Sequence, residues 1–398
     1  MANNNENKIL NVPNLRFPEF SGEWSSQPLT DFMNFKNGLN PDAKRFGRGT
    51  KFISVMDILN NQYICYDNIR ASVELQDGDI ETYGVDYGDI LFQRSSETLE
   101  DVGRANVYLD SKPAIFGGFV IRGKSKGNYN PLFFRYLLAS PTARKRIIVK
   151  GAGAQHFNIG QDGLSKVSLD IPRLSEQEKI GKLLQCVDAR IATQNKIIED
   201  LKKLKSAIVD KLYSSTNGKT YSFCQLFEVV NEKNKKLAYK NVLSASQELG
   251  MIERSNINID IKFEQESISG YKIVRKGDYV VHLRSFQGGF AFSDTTGICS
   301  PAYTILRPND LVVYGYLSHF FTSKPFIKSL KLVTYGIRDG RSINVDEWLD
   351  MPILLPSAQE QMRILTIVNA IDAKLHNEAK VQFCLSSQKS YLLNTMFI

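Results

Sequence analysis

Residues 171–180 read Ile-Pro-Arg-Leu-Ser-Glu-Gln-Glu-Lys-Ile, and they open the most regular helical pattern in the chain. Pro172 disfavours helix before it, and Ser175 with Glu178 has the spacing of a capping box, which predicts a helix start at Ser175. Beyond this start, apolar residues recur alternately every four and three positions over several heptads. Such a pattern predicts a long helix that packs against another helix.

A second stretch, residues 355–364, repeats this pattern as Leu-Pro-Ser-Ala-Gln-Glu-Gln-Met-Arg-Ile. A shift of 184 residues places Pro172 on Pro356 and Asp188 on Asp372, and the Glu-Gln pair and the apolar register follow. This agreement indicates an internal duplication. Two related helices of about 40 residues, each roughly 60 Å long, would pack most simply antiparallel about a pseudo-twofold axis.

The residues expected to join the two helices share the apolar register. They are Ile180, Leu184, Val187, Ile191, Ile198, Leu201, Ile208, Ile364, Val368, Ile371, Leu375, Leu385 and Leu392. Gln194 and Lys205 occupy two polar positions in the same register. Because Gln359 stands where Ser175 stood, the cap of the second helix is expected at Ser357 with Glu360.

The segments that precede the two helices also correspond, although less closely. Both contain short β-type runs, a Gly-Asp strand start, a short helix and a glycine-bearing loop. The matching stretches are residues 88–95 with 277–285, 118–122 with 302–307, 131–146 with 314–330, and 151–158 with 334–344. This order predicts an α+β protein with two similar globules, each leading into a long helix.

Bulk properties limit the classes of protein to which the chain can belong. Its 398 residues suggest two or three domains, and 42% hydrophobic with 23% charged residues is ordinary for a globular protein. No apolar run approaches the roughly 20 residues of a membrane span, and the Asn-rich start does not look like a signal peptide. A net charge of +8 and a pI near 9.0 favour an acidic partner, nucleic acid before membrane.

The alternation of globule and Pro-x-x-x-Glu-Gln-led helix resembles the specificity subunit of type I restriction-modification enzymes, the HsdS family. Residues 13–20, Pro-Asn-Leu-Arg-Phe-Pro-Glu-Phe, and the following Trp24 are also similar to the start of that family. The resemblance covers nearly the whole chain and is weakest inside the globules. It implies an arm, two target recognition domains and two spacer helices, with boundaries at residues 1–20, 21–173, 174–216, 217–356 and 357–398.

The resemblance also implies a function. Each globule would read one half of a bipartite, asymmetric DNA site, while the helices set the spacing and dock two adenine-methylating modification subunits. Restriction subunits would add translocation and cleavage. The chain itself would be a non-catalytic subunit without a metal, and S-adenosylmethionine, ATP and Mg²⁺ would belong to its partners. Its expected place is the cytoplasm of a bacterium or archaeon, at the nucleoid.

Polar residues on the glycine-bearing loops and after the Gly-Asp strands are the candidates for base readout, because Arg pairs with guanine and Asn or Gln with adenine. They are Arg94, Gln155, His156, Asn158, Arg284, Arg338, Arg341 and Asn344. A further set suits phosphates, which position DNA without specifying its sequence. That set is Arg144, Lys145, Arg146, Lys150, Lys324, Lys328 and Lys331.

Two other hypotheses remain open at this point. A stand-alone sequence-specific DNA-binding protein could have the same two-globule body without methyltransferase partners. An enzyme could use Lys124, because residues 118–125 match the P-loop pattern letter for letter. The four residues inside that match are a predicted strand, however, and no helix follows it directly, so a phosphate loop is not expected there. Residues 300–303, Ser-Pro-Ala-Tyr, only faintly resemble a methyltransferase motif.

Overall fold

The computed structural model describes residues 11–153, 155–215, 217–246, 249–256, 265–282, 289–335 and 342–398. Contacts divide the chain into two compact units. The first unit runs to Asn195 and includes Lys380–Ile398, and the second is Lys196–Ala379. In the part of the chain that the structure describes, no helix is long and apolar enough to cross a membrane.

The first globule, residues 25–171, is built from short strands and short helices. Its strands are β1 (Ser25–Pro28), β2 (Met33–Asn37), β3 (Phe46–Ile53), β4 (Ala71–Val73), β5 (Gly84–Val85), β6 (Ile90–Gln93), β7 (Ser95–Ser96), β8 (Ala105–Val107), β9 (Ala114–Phe116), β10 (Val120–Ser125), β11 (Phe157–Asn158) and β12 (Ser168–Ile171). Its helices are α1 (Val55–Asn60), α2 (Asp79–Tyr83), α3 (Pro131–Ala139), α4 (Pro141–Ile148) and α5 (Gln161–Ser165), and the long helix α6 (Leu174–Ser214) follows.

The second globule, residues 219–355, follows the same course. Its strands are β13 (Lys219–Ser222), β14 (Phe227–Val230), β15 (Leu243–Ser246), β16 (Gly250–Glu253), β17 (Lys272–Val274), β18 (Tyr279–Val281), β19 (Phe290–Phe292), β20 (Gly297–Cys299), β21 (Thr304–Pro308), β22 (Thr334–Tyr335), β23 (Ser342–Ile343) and β24 (Pro352–Leu355). Its helices are α7 (Tyr316–Phe320), α8 (Lys324–Ser329) and α9 (Val345–Leu349), and the long helix α10 (Ala358–Thr395) follows.

Each globule has its own four-stranded central sheet, and the two sheets have matching strand orders. The first has the order β2-β10-β6-β8, and the second has the matching order β14-β21-β18-β19. In each globule the first strand pairs with the last strand before the long helix, as β1 with β12 and β13 with β24. The first globule adds a second sheet, β4-β3-β9-β5, in which β3 and β9 are parallel. The predicted α+β class with an internal duplication is confirmed.

Lys124, in the stretch that matches the P-loop pattern, pairs with carboxylates of the fold. Lys124 lies in strand β10, where its ammonium contacts the carboxylate of Asp86 and lies 3.7 Å from that of buried Asp89. Burial raises the pKa of Asp89, and the lysine charge opposes that rise. In the second globule Arg307 makes the corresponding contact, with two 2.9 Å hydrogen bonds to buried Asp278. Both cations therefore neutralise the buried carboxylate of a Gly-Asp turn.

The helices predicted over residues 131–146 and 314–330 are each two helices, so that prediction was wrong. Ser140 ends α3 and accepts a hydrogen bond from Ala143 N as the cap of α4. Ser323 caps α8 in the same way through Phe326 N. Each new helix carries a proline in its first turn, where the missing N–H costs nothing but an unbroken helix could not pass.

The long helices begin at equivalent positions. Helix α6 starts at Leu174, one residue before the predicted Ser175, because Glu176 N and Gln177 N donate to the carbonyl of Arg173. Helix α10 starts at Ala358, and Glu360 N donates to Ser357 Oγ at 3.3 Å. The predicted cap at Ser357 is confirmed, whereas the predicted start at Ser175 was wrong.

The glutamine of each Glu-Gln pair fastens the helix start to its own globule. Gln177 Nε2 donates to Pro172 O at 2.9 Å, and its Oε1 accepts from Asn130 N at 3.0 Å. Gln361 Nε2 donates to Pro356 O at 3.0 Å, and its Oε1 accepts from Val313 N at 2.8 Å. Both amides are buried, so each helix start has a fixed position against the loop that precedes α3 or α7.

The glutamates of the two pairs have different roles. Glu176 is buried and binds the N-terminal arm, with Arg16 Nη2 at 2.7 Å and Trp24 Nε1 at 3.3 Å. The same arm reaches the end of α10, where Leu15 N donates to Thr395 O at 2.9 Å. Glu360 instead lies near the surface and pairs with Arg363.

The long helices run antiparallel within both units. In the first unit Ile180 and Leu184, near the start of α6, share a core with Leu392 at the end of α10. In the second unit Val209, near the end of α6, shares a core with Ile364 at the start of α10. Every residue predicted to join the helices is buried or half-buried.

An aspartate on each long helix, buried at Asp188 and half-buried at Asp372, joins that helix to the other helix and to its globule. Asp188 contacts Lys389 Nζ at 2.6 Å, Arg135 Nη1 at 3.3 Å and Tyr136 OH at 2.8 Å. Each of these charged groups has a counterpart 184 residues away. Asp188 corresponds to Asp372, Arg135 to His319, and Lys389 to Lys205.

The second aspartate repeats the cluster with weaker partners. Lys205 Nζ lies 2.5 Å from Asp372 Oδ1, and His319 Nε2 lies 3.9 Å from Oδ2. Burial, with a contribution from Lys205, lowers the pKa of His319, and Asp372 only partly opposes this. The second cluster therefore holds a neutral imidazole at neutral pH where the first holds a permanent guanidinium.

The first cluster predicts a large effect of Asp188→Asn. The substitution leaves the cations of Lys389 and Arg135 partly buried without a carboxylate, so we expect a loss of about 2–4 kcal/mol in the free energy of unfolding. Urea unfolding checks this. Exposed Asp200→Asn, on the same helix, should change stability by less than about 0.5 kcal/mol. Equal effects of the two substitutions would contradict the role of the cluster.

The second cluster predicts a pH-dependent stability. Because the pKa of His319 is lowered in the fold, the unfolded chain binds more protons as pH falls below about 7, and the fold loses stability until the folded pKa is passed. His319→Gln should flatten this part of the stability profile, measured by urea unfolding between about pH 8 and pH 5. Exposed His376→Gln, which removes an imidazole outside the cluster, is the matched control. A profile that His319→Gln does not alter would contradict this assignment.

Candidate nucleic-acid interface

The glycine-bearing loop between α4 and α5 is closed by a small backbone bridge. Ala152 N donates to Asn158 O at 2.9 Å, and Asn158 N donates to Ala152 O at 2.8 Å. The Asn158 carboxamide is used in the same closure, because its Oδ1 accepts from Ser95 Oγ and its Nδ2 donates to His156 O at 3.3 Å. Asn158 thus shapes the loop, and its contact with a base stays a prediction.

The tip of this loop presents polar side chains to solvent. Gln155, His156 and Lys150 are exposed, and within the described part of the chain their side chains have no hydrogen-bond or ion-pair partner. They are therefore free to meet a ligand.

Arg94 connects this loop to a neighbouring turn. Its carbonyl accepts from Ile159 N at 2.9 Å, and its own N donates to Phe119 O at 2.9 Å. Its guanidinium makes one long hydrogen bond, from Nη1 to Gly118 O at 3.3 Å. Arg94 is half-buried, and no other described residue forms a hydrogen bond with its guanidinium.

In the second globule three of the four readout candidates, Arg284, Arg338 and Arg341, lie outside the described residues. The fourth, Asn344, is the cap of α9: its Oδ1 accepts from Glu347 N at 3.4 Å and its Nδ2 donates to Glu347 Oε1 at 2.7 Å. The carboxamide of Asn344 is thus occupied within the fold, and its contact with a base stays a prediction.

Comparisons with known proteins agree with this architecture. Residues 21–203 match the family described as a type I restriction modification DNA specificity domain. The chain is 23% identical, over 419 aligned positions, to the putative type I restriction enzyme MjaX specificity subunit of Methanocaldococcus jannaschii, covering 98% of this chain and 96% of that protein.

Two solved structures share the fold. One is the S subunit of a type I restriction-modification system from M. genitalium, with a TM-score of 0.55, 14% identity, and coverage of 97% of this chain and 99% of that one. The other comes from a study of complex assembly and conformational transition in the type I system, with a TM-score of 0.60, 12% identity, and coverage of 93% and 96%.

Residues 21–203 thus match the specificity domain of type I restriction-modification systems, and the chain is similar to a specificity subunit over nearly its whole length. The resemblance suggested by the two Pro-x-x-x-Glu-Gln motifs is thereby confirmed.

The phosphate candidates of this chain fall into two groups. Arg144 and Arg146 serve the fold: Arg144 Nη2 donates to the carbonyls of Glu100 and Val102, and Arg146 Nη2 lies 2.6 Å from Asp170. Burial, with a smaller contribution from Arg104, lowers the pKa of Arg144 to about 10.

The lysines form the second group. Lys145, Lys150, Lys328 and Lys331 are exposed and have no ion pair within the described part of the chain, whereas exposed Lys324 lies 3.7 Å from Asp210. These side chains can reach a phosphate without giving up a contact of the fold, and that role stays a prediction.

A basic segment at the start of β3 is a further candidate for DNA contact that the sequence analysis did not include. Residues 44–51 read Lys-Arg-Phe-Gly-Arg-Gly-Thr-Lys, and Gly47 and Gly49 adopt positive φ angles that bend the start of β3. Arg45 binds Asp79 and Lys51 Nζ donates to Ile69 O, but Lys44 is exposed. The interleaving of cations, glycines and an aromatic residue was the signal that could have found it.

Adjacent residues of α4 give a matched test of the structural and surface groups. Arg144→Ala removes donors from two backbone carbonyls and should lower the free energy of unfolding by about 1–3 kcal/mol. Lys145→Ala, at an exposed position, should change it by less than about 0.5 kcal/mol. Urea unfolding measures both, and an Arg144→Ala chain as stable as the Lys145→Ala chain would contradict the structural role.

Proposed function

We propose that each globule of this specificity subunit reads one half of a bipartite, asymmetric DNA site, while the long helices set the spacing and dock two adenine-methylating modification subunits. The supporting observation is the duplication of one framework under different surfaces. The central sheet, the glutamine at the helix start and the aspartate cluster occur twice, at matching positions.

Differences between the two copies lie where a DNA target would be read. In the first globule the loop before the helix ends at Asn158, which is paired with Ser95. In the second globule the corresponding Asn344 caps α9 instead. Loops that are built differently on the same framework present different side chains, so the two halves of the target are expected to differ.

The outward surface of the long helices supports the docking of partner subunits. Large apolar side chains are exposed there, including Leu204 at 52%, Met362 at 55%, Phe383 at 71% and Tyr391 at 60%. Exposed apolar groups of this size are typical of surfaces that are covered in a complex. This observation favours the scaffold over a DNA-binding protein that works without partners.

In this proposal the specificity subunit is non-catalytic and the chemistry belongs to its partners. S-adenosylmethionine would be held by the modification subunits, and ATP and Mg²⁺ by the restriction subunits. Exposed lysines of the globules would hold the DNA backbone by charge, and loop side chains would select the bases.

A map of modified adenines tests this function. Cells that carry a compatible modification subunit should show a split motif with a fixed unspecified gap only when this chain is also present, read by long-read sequencing. Replacing residues 24–170 by the corresponding segment of a relative should change one half of the motif and leave the gap unchanged, because the helices remain.

Three results would count against the proposal. A change in both halves after the exchange would contradict independent reading. Co-purification with the modification subunit without any motif would contradict DNA reading. A site bound tightly by the chain alone, with no modified adenines and no co-purification, would favour the stand-alone DNA-binding protein.

A further inference from the structure

The first globule carries a groove of about 420 Å³ that the assigned candidates do not occupy. Its walls come from the turn after β2, the start of β3, the start of α1 and the turn between β9 and β10. The side chains that matter for its chemistry are Asn40, Phe46, Phe52, Met56 and Phe119.

Apolar groups dominate this groove although it is open to solvent. The exposed fraction is 70% for Phe119, 61% for Met56 and 44% for Phe46. The ring of Phe46 stands edge-on to that of buried Phe52, with centroids 5.2 Å apart, so the floor is fixed. Apolar side chains gathered in one open groove indicate a surface that meets a ligand.

The wall of the groove is built by a close approach of two backbone segments. A Cβ on Gly38 would lie 2.1 Å from Gly117 O, and a Cβ on Gly118 would lie 1.9 Å from Asn40 Oδ1. At Gly38 the obstacle is backbone, so no larger residue fits there without moving the wall, whereas at Gly118 the obstacle is the side chain of Asn40. The close approach of Gly38 to Gly117 therefore holds together the two turns that carry Asn40 and Phe119.

Asn40 is the polar group of the groove. It is exposed, and no described residue forms a hydrogen bond with its side chain. Its carboxamide thus offers both a donor and an acceptor, the combination that pairs with N7 and N6 of adenine in the major groove. The same base pair presents the 5-methyl group of thymine, which takes an apolar contact.

The groove continues the candidate interface, and its rim is basic. Arg94 lies between the two, bonded through its backbone to Phe119 on one side and Ile159 on the other. Residues 42–51 carry four cations and one carboxylate, and the Arg48 side chain is 72% exposed although it pairs with Glu74. This charge complements a DNA backbone.

We propose that this groove reads an A·T base pair in the half-site of the first globule. Asn40 pairs with N6 and N7 of the adenine, and Phe119, supported by Met56, covers the methyl group of the thymine. The inference rests on the proposed function, because it assumes that the first globule faces the bases of a DNA duplex.

Base analogues test the proposal in the complex of this chain with its modification subunits. Duplexes carry the mapped target with single thymines replaced by deoxyuridine, which lacks the methyl group, or single adenines replaced by 7-deazaadenine, which lacks N7. At one A·T pair of the first half-site, we expect the dissociation constant of the wild-type complex to rise about fourfold with deoxyuridine. It should rise about fivefold or more with 7-deazaadenine.

Two variants separate the contacts. Phe119→Ala should abolish the response to deoxyuridine at that pair, and Asn40→Ala should abolish the response to 7-deazaadenine. Tyr87→Ala, which removes an aromatic side chain 62% exposed outside the groove, should keep both responses. All three variants alter exposed side chains, and their unfolding midpoints should match that of the wild type.

The possible contrary results distinguish a failure of the groove proposal from a failure of the proposed function. Specific binding that no single deoxyuridine or 7-deazaadenine weakens would overturn the A·T reading and leave the proposed function intact. Loss of co-purification in Phe119→Ala would make the groove a protein-docking surface and overturn the inference. Absence of any sequence-specific binding by the wild-type complex would overturn both proposals.

Discussion

The contacts on which the rest of the structure depends are made by one carboxylate on each long helix, buried at Asp188 and half-buried at Asp372. Asp188 binds a lysine of the other helix and an arginine of the first globule, so one charge joins three elements of the first unit. A buried charge is costly unless it is fully paired, which makes this arrangement specific: a helix shifted by one turn would leave Asp188 without its cations. Asp372 repeats the arrangement in the second unit with Lys205 and His319. Together with Gln177 and Gln361, these groups fix where each helix leaves its globule.

The fold could be predicted well wherever a regular repeat carried the information. The long helices, their antiparallel packing and their shared starts follow from apolar periodicity and a 184-residue shift, and these are properties of sequence alone. The predictions of helix boundaries were wrong where the same residue is compatible with two different local structures. Ser175 has the spacing of a cap, but the Arg173 carbonyl already serves the first turn. Pro141 stands inside an apolar helical pattern, yet Ser140 caps a new helix there.

The candidate interface was harder to predict because a polar side chain on a loop can bind either a ligand or its own backbone. Asn158 and Asn344 look alike in sequence, and both carboxamides turn out to shape the fold. Asn40 attracted no notice, because a lone asparagine before Pro41 reads as an ordinary turn residue. Only the structure shows that Asn40 packs on Gly118 beside an exposed Phe119, and that its amide has no partner among the described residues. Likewise, Lys124 fits a phosphate loop by letter but neutralises Asp89.

The separation between the contacts that join helix to globule and the exposed side chains of the turns explains how one framework can present two different surfaces. Groups that join helix to globule are buried or half-buried and contact one another, so a change in one of them affects the others. Side chains such as Gln155, His156 and Phe119 are exposed on turns whose backbone is held elsewhere, so each can change without moving the sheet beneath it. At matching positions the first cluster has Arg135 and the second has the neutral His319, so the contact between helix and globule tolerates the loss of one cation when a lysine still meets the aspartate. A duplicated chain can therefore keep its two joints alike while its two surfaces diverge.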